Sequence, residues 1–299
     1  MTEKIYIARH GNTISPATFY SFTSISLPSF AGYRLNWLNT VWTSPTGLAR
    51  DPPLTAYGET QAEELCQYFL SFPEDERPTA IFSSPYYRCL QTSKPLAQAL
   101  GLPIYVEHGI AEWYSPVAPG TGLHPRPGPT ESLQTHFSEV DPGWSTIYYP
   151  TRKGESVEEL HERVDAFVGA FMPMLEYRLP PERRRRLLFV THAATTIALT
   201  RSFIGDRNLY LKVGCCSLTE LHKQQNVEEK KVHGAWKPVA LAHGEHLKGG
   251  SSREWGFEDI EIAKGKVVED PGVPGSEVEE DHPIGLQLQR PAIQAISNL

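Results

Sequence analysis

Cysteine is scarce in this chain of 299 residues, and the few present form no recognisable metal-binding or disulfide motif. The cysteines are Cys66, Cys89, Cys215 and Cys216. Their spacing lacks the repeated pairs of structural zinc sites and of small disulfide-rich scaffolds. We therefore expect reduced, partly buried thiols in a nuclear or cytoplasmic protein, and no bound metal or other cofactor.

Long apolar runs and an excess of positive charge are also absent. No apolar run approaches the roughly 20 residues that a membrane-spanning helix needs, and the first residues lack a secretory signal pattern. The net charge of −7 argues against broad binding to nucleic acid or to an anionic membrane. The basic run at residues 183–186 is typical of a solvated lead-in to a strand, with a nucleic-acid contact as the alternative. We expect contact with neither a membrane nor nucleic acid.

Strand and helix patterns alternate through the first 256 residues. Short apolar runs predict strands at residues 5–8, 80–82, 104–106 and 187–190, and later at 217–221 and 236–241. Helix starts are predicted at Thr55, at Ser84 followed by Pro85, and at Ser156. Another helix follows His192 and runs to Gly205. This order predicts an α/β domain of three layers, α/β/α, with a mostly parallel central sheet.

Two stretches depart from this alternation. Residues 12–32 contain no acid or base and show no sustained periodicity, so they are predicted to be a long loop insertion within a domain spanning residues 1–256. Residues 257–299 are rich in acids, proline and glycine and carry little core-forming pattern. We expect them to form a flexible, loosely attached tail.

The unusual side chains follow the predicted strands. Arg9 and His10 end the first strand, Arg88 lies in the helix after the second, and His192 ends the fourth. Because ligands of such sheets bind beyond the carboxyl ends of the strands, these four side chains can converge. Arginine forks match phosphate oxygens, and histidine can act as a nucleophile or an acid. The pattern predicts a phosphoryl-transfer pocket with His10 as the nucleophile; a purely structural histidine is the alternative.

A carboxylic acid is needed to protonate the leaving oxygen of a phosphate ester. Glu112, just past the third strand, is the candidate, and its neighbours Trp113 and Tyr114 are expected to desolvate it and raise its pKa. An ordinary surface glutamate is the alternative. Trp37 and Tyr114 read either as packing residues or as substrate contacts.

These motifs resemble the histidine phosphatase superfamily, also called the phosphoglycerate mutase-like family, from about Lys4 to Leu241. The motifs are Ala8-Arg9-His10-Gly11, Pro53-Leu54-Thr55, Ser83-Ser84-Pro85 with Arg88, Glu112, Gly154-Glu155-Ser156 and Thr191-His192. The resemblance implies that Arg9, His10, Arg88 and His192 form the phosphate pocket and that His10 becomes phosphorylated. It also implies a phosphoglycerate mutase-like fold.

A narrower resemblance is to the histidine-phosphatase domain of a fungal subunit of TFIIIC, the RNA polymerase III initiation factor. It rests on the runs at residues 5–11, 33–37, 85–90, 109–114 and 191–194, and this branch is also similar to the ubiquitin-associated, SH3-containing tyrosine phosphatases. In that branch the Tyr33-Arg34 run follows Arg-His-Gly directly, whereas here residues 12–32 intervene. The resemblance implies that Arg34 adds a further phosphate-binding guanidinium.

Three functions are consistent with this sequence. The first is a metal-independent phosphatase acting on a phosphorylated small molecule or a phosphopeptide. The second is a non-catalytic or weakly catalytic scaffold whose partners are TFIIIC subunits. The third is a small-metabolite mutase or bisphosphatase, which is disfavoured because the extra basic residues of the mutases are not evident.

Overall fold

A computed structural model describes residues 2–13, 44–225, 227–228, 231–260, 262–263, 266–267, 269–270 and 272–287. The strands are β1 (Lys4–Arg9), β2 (Ala80–Ser83), β3 (Ile104–Val106), β4 (Arg186–Thr191), β5 (Leu218–Lys223), β6 (Trp236–His243), β7 (Ile262–Ala263) and β8 (Lys266–Val267). The helices are α1 (Ala56–Ser71), α2 (Tyr87–Leu100), α3 (Thr130–Gln134), α4 (Val157–Arg178) and α5 (Ala193–Ile204). Short 3-10 turns lie at His108–Ile110, Pro181–Arg184 and Phe257–Asp259.

The central sheet has six strands in the order β3-β2-β4-β1-β5-β6. The first four run parallel, whereas β5 lies antiparallel to β1, and β6 antiparallel to β5. The predicted mostly parallel sheet is confirmed. Because β1 lies between β4 and β5, the strand that leads into His10 is in the interior of the sheet.

Successive side chains of β1 point alternately to the two helical layers on either side of the sheet. Ile5 and Ile7 pack into the apolar cluster that contains the inward faces of α4 and α5. Tyr6 and Ala8 pack into the cluster formed with α1 and α2. All four side chains are fully buried, so β1 reads as a continuous apolar run rather than an alternating one. The three-layer α/β/α prediction is thereby confirmed.

Two predicted helix starts have the expected caps. The hydroxyl of Thr55 accepts a hydrogen bond from the amide of Gly58, and Ser156 forms a reciprocal capping box with Glu159. The prediction for α2 is wrong: Tyr86 is its N-cap residue, and the helix begins at Tyr87. Ser84 is not available as a cap because its hydroxyl lies 2.7 Å from Nε2 of His192.

The described residues beyond 268 lie against the loops between β3 and α4. Ser276 is almost fully buried, and its hydroxyl accepts a hydrogen bond from the amide of Leu123 at 2.8 Å. The carboxylate of Asp281 accepts hydrogen bonds from Arg126 at 2.7 Å and from Thr151 at 2.7 Å. The described part of this stretch therefore makes specific polar contacts with those loops, and the flexible tail stays a prediction.

The prediction for the insertion at residues 12–32 lies almost entirely outside the described residues, which include only positions 12 and 13 of that stretch. Within the described part of the chain, no helix combines the length and the apolar character needed to cross a membrane.

Candidate active site

The carboxyl ends of four neighbouring strands bring together four of the predicted site residues. His10 follows β1, Arg88 lies in the first turn of α2 after β2, and His192 follows β4 as the N-cap of α5. Glu112 follows β3 and approaches the same point, with its Oε2 atom 2.9 Å from Nη2 of Arg88. His10, Arg88 and His192 are each more than nine-tenths buried. The site is thus a desolvated cluster at one edge of the sheet.

His10 is held in a defined tautomer by the backbone. Its Nδ1 lies 2.7 Å from the carbonyl oxygen of Gly11, which can only accept a hydrogen bond. The proton of a neutral imidazole must therefore be on Nδ1, and Nε2 carries the lone pair. Nε of Arg88 donates to that Nε2 at 3.3 Å. The ring is thereby oriented with the lone pair of Nε2 inside the cluster.

Arg88 contacts each of the other three side chains of the cluster. Its Nη2 donates to Glu112 and lies 3.1 Å from Nδ1 of His192. Its Nη1 donates to the carboxylate of Asp51 at 3.3 Å, and its guanidinium carbon lies 4.7 Å from the ring centroid of Tyr86. These contacts fix a planar fork of donors, and such a fork matches the geometry of phosphate oxygens.

His192 is the most buried member of the cluster. Its side chain is fully buried, with Nε2 2.7 Å from the hydroxyl of Ser84 and Nδ1 3.0 Å from Oε2 of Glu112. The rings of His10 and His192 have centroids 5.3 Å apart. The two imidazoles and the Glu112 carboxyl therefore surround one small space.

Burial and nearby positive charge keep both histidines neutral. Burial, followed by the charge of Arg88, holds the pKa of His10 well below its ordinary value. Burial also lowers the pKa of His192, to about 4. Both imidazoles are consequently unprotonated at neutral pH, which is the form that a histidine nucleophile needs.

The expected rise in the pKa of Glu112 is wrong for the free protein. Burial does raise the pKa of this carboxyl, but His192 and Arg88 outweigh it and hold the pKa below its ordinary range. The sequence showed the aromatic neighbours, whereas the ion pair with Arg88 arises only from the fold.

Arg9 has a different role from Arg88 in this structure. Its Nη1 donates to the carbonyl oxygens of Val213 at 2.9 Å and Arg253 at 2.6 Å. Its charge contributes to the lowered pKa of His10, yet no hydrogen bond joins the two side chains among the described residues. Arg34, the remaining predicted phosphate-binding residue, lies outside the described residues.

Three residues that were not predicted to be site residues support the site. Both carboxylate oxygens of Asp51 accept hydrogen bonds from the amide of Tyr87, and burial raises the pKa of Asp51 to about 6. Ser84, predicted to be a helix cap, lies 2.7 Å from Nε2 of His192, and the ring of Tyr86 lies against the guanidinium of Arg88. No sequence pattern distinguishes Asp51, because its contact with Arg88 spans 37 positions.

Three side chains offer a possible metal-ligand set. Ligand atoms of His10, Glu112 and His192 lie within 4.8 Å of one another. The guanidinium of Arg88 is within hydrogen-bonding distance of all three, and its positive charge repels a cation. A cluster of one arginine and two imidazoles fits an anion with several oxygens better.

Comparison with known proteins agrees with this chemistry. The model of the histidine phosphatase superfamily (branch 1) matches residues 39–234. The chain belongs to the histidine phosphatase superfamily. The matched range begins after His10, so the likeness of the first strand and its Arg-His-Gly motif rests on the residues and geometry described above.

Two characterised proteins have significant sequence similarity to this chain. The chain is 31% identical to the transcription factor tau 55 kDa subunit of Saccharomyces cerevisiae over 92% of its own length. It is 27% identical to the ecdysteroid-phosphate phosphatase of Drosophila melanogaster over 79% of its length. The chain spans 65% of the first relative and 31% of the second, so both are longer proteins.

Among solved structures, the ecdysone phosphate phosphatase of Bombix mori in complex with tungstate has a similar fold. The TM-score is 0.53 at 16% identity, with 80% of this chain and 93% of that chain covered. This similarity supports the phosphoglycerate mutase-like α/β architecture predicted from the sequence.

Proposed function

We propose that the protein is a phosphomonoesterase that forms a phosphohistidine intermediate on Nε2 of His10. The observation that carries the proposal is the tautomer of His10, whose Nδ1 is committed to the carbonyl of Gly11 while Nε2 faces Arg88. A neutral, oriented imidazole beside a guanidinium is the arrangement needed for nucleophilic attack on a phosphate ester. The superfamily membership and the phosphatase relative support this assignment.

In the first step, the lone pair of Nε2 forms a bond to phosphorus, and the bond from phosphorus to the ester oxygen breaks. Glu112 gives its proton to the departing oxygen, so that an alcohol leaves. Arg88, with Arg9 and Arg34, stabilises the charge on the remaining phosphate oxygens, and His192 donates a further hydrogen bond. In the second step, water attacks phosphorus, Glu112 takes up the proton of the water, and the bond from phosphorus to Nε2 breaks.

Glu112 must be protonated when the first step begins, although its pKa is low in the free protein. A bound phosphate dianion resolves this conflict. It takes over the hydrogen bonds of Arg88 and places negative charge beside the carboxylate, and both effects raise the carboxyl pKa. The substrate thereby creates the acid that its own cleavage requires.

The substrate is proposed to be a phosphorylated small molecule or a phosphopeptide. Tyr114 stacks on His124 with ring centroids 4.5 Å apart, and it lies next to Tyr86, which contacts Arg88. An aromatic wall of this kind favours an aryl or peptide leaving group over a small sugar phosphate.

The decisive experiment compares wild type with His10→Ala. Wild type is expected to hydrolyse p-nitrophenyl phosphate and to form an acid-labile, alkali-stable phosphoprotein when quenched during turnover. His10→Ala is expected to lose both signals. Equal turnover by the two proteins would overturn the proposal, and His222→Ala, which changes a histidine of β5 outside the cluster, serves as the matched control.

A second proposed function is assembly into a TFIIIC-like transcription factor, with or without phosphatase activity. It rests on the 31% identity to the tau 55 kDa subunit across 92% of this chain. It implies a nuclear location and TFIIIC subunits as partners. Affinity purification of the tagged chain from native nuclear extract should recover such subunits, and it should also do so with His10→Ala. Recovery of no TFIIIC component would count against this function.

A further inference from the structure

A second basic cavity lies at the edge of the sheet opposite to the candidate active site. Arg77 precedes β2, Arg183 lies in the 3-10 turn before β4, and Arg186 is the first residue of β4. These three arginines line a cavity of about 300 Å³. β4 runs from Arg186 at this cavity to Thr191, the residue before His192. At about 3.3 Å per residue this length is roughly 17 Å, so the two sites are separate.

Two guanidinium groups of this cavity have nitrogens without partners. Arg186 is only 6% exposed, and its Nη1 is buried with no hydrogen-bond partner among the described residues. Its Nε donates to the carbonyl of Arg77 at 2.5 Å, so the side chain is held in place. Nη1 of Arg183 is likewise buried and without a partner within the described ranges. Both nitrogens are shielded from solvent, so they do not themselves contact a ligand in the cavity, but they add positive charge close to it.

The basic run at residues 183–186 divides into two pairs. Arg185 forms an ion pair with Glu3 at 3.0 Å, and Nη1 of Arg184 donates to the carbonyl of Glu176 at 2.6 Å. Arg183 and Arg186 instead line the cavity, and in the described part of the chain no carboxylate oxygen lies within 4.0 Å of either guanidinium. Solvation and ordinary polar contacts therefore account for Arg184 and Arg185, but not for the position of Arg183 and Arg186 in the cavity wall.

We propose that Arg77, Arg183 and Arg186 form a binding site for the phosphate group of a small organic phosphate. A phosphate offers several acceptor oxygens, and planar arginine forks match their geometry. It would add negative charge beside three guanidinium groups, and neither Arg183 nor Arg186 has an ion pair within 4.0 Å in the described part of the chain.

The other cavity walls restrict the ligand. Leu100, Leu102 and Pro78 form an apolar side, whereas the carboxylates of Glu74 and Glu182 offer acceptors for hydroxyl groups. The volume is at the lower end of the range for small-molecule sites. A phosphate carried on a compact hydroxylated body fits these walls, while a nucleic-acid duplex cannot enter a cavity of this size.

Calorimetric titration tests the site with inorganic phosphate and with AMP. The AMP arm uses the His10→Ala protein, so that turnover cannot consume the ligand. Arg183→Gln is expected to weaken one phosphate-binding event at least tenfold, and Arg186→Gln to do the same if that variant folds. Arg185→Gln, which removes the same charge outside the cavity, is expected to bind like wild type.

The outcomes separate the alternatives. Tighter binding of AMP than of phosphate, lost in Arg183→Gln, supports an organic phosphate as ligand. If AMP and inorganic phosphate bind equally tightly, and both lose affinity in Arg183→Gln, the site is supported with free phosphate as its ligand. Unchanged titrations for Arg183→Gln overturn the proposal. Binding of labelled duplex DNA that weakens equally with Arg183→Gln and Arg185→Gln also overturns it, in favour of a surface patch. None of these measurements requires catalytic turnover, so failure of the proposed phosphatase activity leaves them interpretable.

Discussion

Nδ1 of His10 lies 2.7 Å from the carbonyl oxygen of Gly11, the next residue along the chain. The proton that orients the proposed nucleophile is thus held by the backbone and not by a carboxylate. A backbone acceptor cannot titrate, so the tautomer of His10 is independent of pH so long as the ring is neutral. Changes to neighbouring side chains should therefore alter the charge environment of Nε2 without altering which ring nitrogen carries the lone pair.

Replacing Arg88 with lysine should reduce kcat/KM for p-nitrophenyl phosphate by about 10²–10³. The positive charge is kept, but the fixed fork of hydrogen-bond donors is lost. Lysine cannot reproduce the simultaneous contacts to His10, Asp51 and Glu112. Arg185→Lys, at an exposed position, should retain wild-type activity. A decrease of less than fivefold in Arg88→Lys would show that the fork geometry is unimportant.

The effect of Glu112→Gln should depend on the leaving group. Glutamine cannot supply a proton, so hydrolysis of an alkyl phosphate is expected to slow by about 10²–10⁴, the usual contribution of general acid catalysis. Hydrolysis of p-nitrophenyl phosphate, whose leaving group needs little protonation, should slow much less. Steady-state rates for a series of leaving groups measure this difference, with the exposed Glu131→Gln as control. An equal loss for all substrates would remove Glu112 from the role of acid.

The pH dependence should reflect a histidine that is difficult to protonate. Because burial and then Arg88 lower the pKa of His10 below its ordinary 6.5, the imidazole stays neutral as the pH falls through 6.5. The acid limb of kcat/KM, corrected for ionisation of the substrate, is expected well below that value. Arg88→Gln removes one cause of the lowered pKa and should move the limb to higher pH, whereas Arg88→Lys should not. A wild-type inflection near 6.5 would contradict the buried, neutral state of His10.

Gly58 allows the backbone of α1 to approach the loop that follows His10. A Cβ at Gly58 would lie 2.1 Å from the carbonyl oxygen of Asn12, so alanine there must displace backbone. Gly58→Ala should lower the free energy of unfolding by about 1–3 kcal/mol, as overpacking does, and should lower activity by shifting the turn after His10. Urea unfolding measures the first effect and p-nitrophenyl phosphate turnover the second.

Gly169, on an exposed part of α4, provides the matched control. Among the described residues, a Cβ there would meet only Nε2 of His233, at 3.4 Å. Gly169→Ala should leave activity unchanged and raise stability by about 0.5–1 kcal/mol, the ordinary gain from alanine in a helix. If both alanine variants are destabilised equally, the close approach of Gly58 to Asn12 is not the cause.

Local patterns predicted the parts of the molecule that local forces determine. The buried strands and the caps at Thr55 and Ser156 follow from the hydrophobic period and from local capping patterns. The convergence of His10, Arg88 and His192 was predicted from the general rule that ligands bind at the carboxyl ends of parallel strands. The low pKa of Glu112 could not be predicted in this way, because it results from side chains brought together by the sheet.

The same reason explains the residues that sequence reasoning missed. Asp51 contacts Arg88 across 37 positions, and Ser84 contacts His192 across 108. In each case the side chain has a reasonable local interpretation, as a loop acid or a helix cap, that conceals its contact in the fold. Acid-rich composition similarly concealed the docking of Asp281 on Arg126, since composition cannot show which arginine faces which acid.

The position of β1 has a consequence for the order in which the protein becomes functional. Lys4 pairs with Arg186 on one side and with His222 on the other, so β1 leaves the ribosome well before either of its neighbouring strands. At roughly 5–20 residues per second, His10 waits on the order of 10–40 s for its partners to emerge. An incomplete chain that lacks β4 and β5 therefore contains His10 without His192, and the proposed site is complete only after most of the domain has been synthesised.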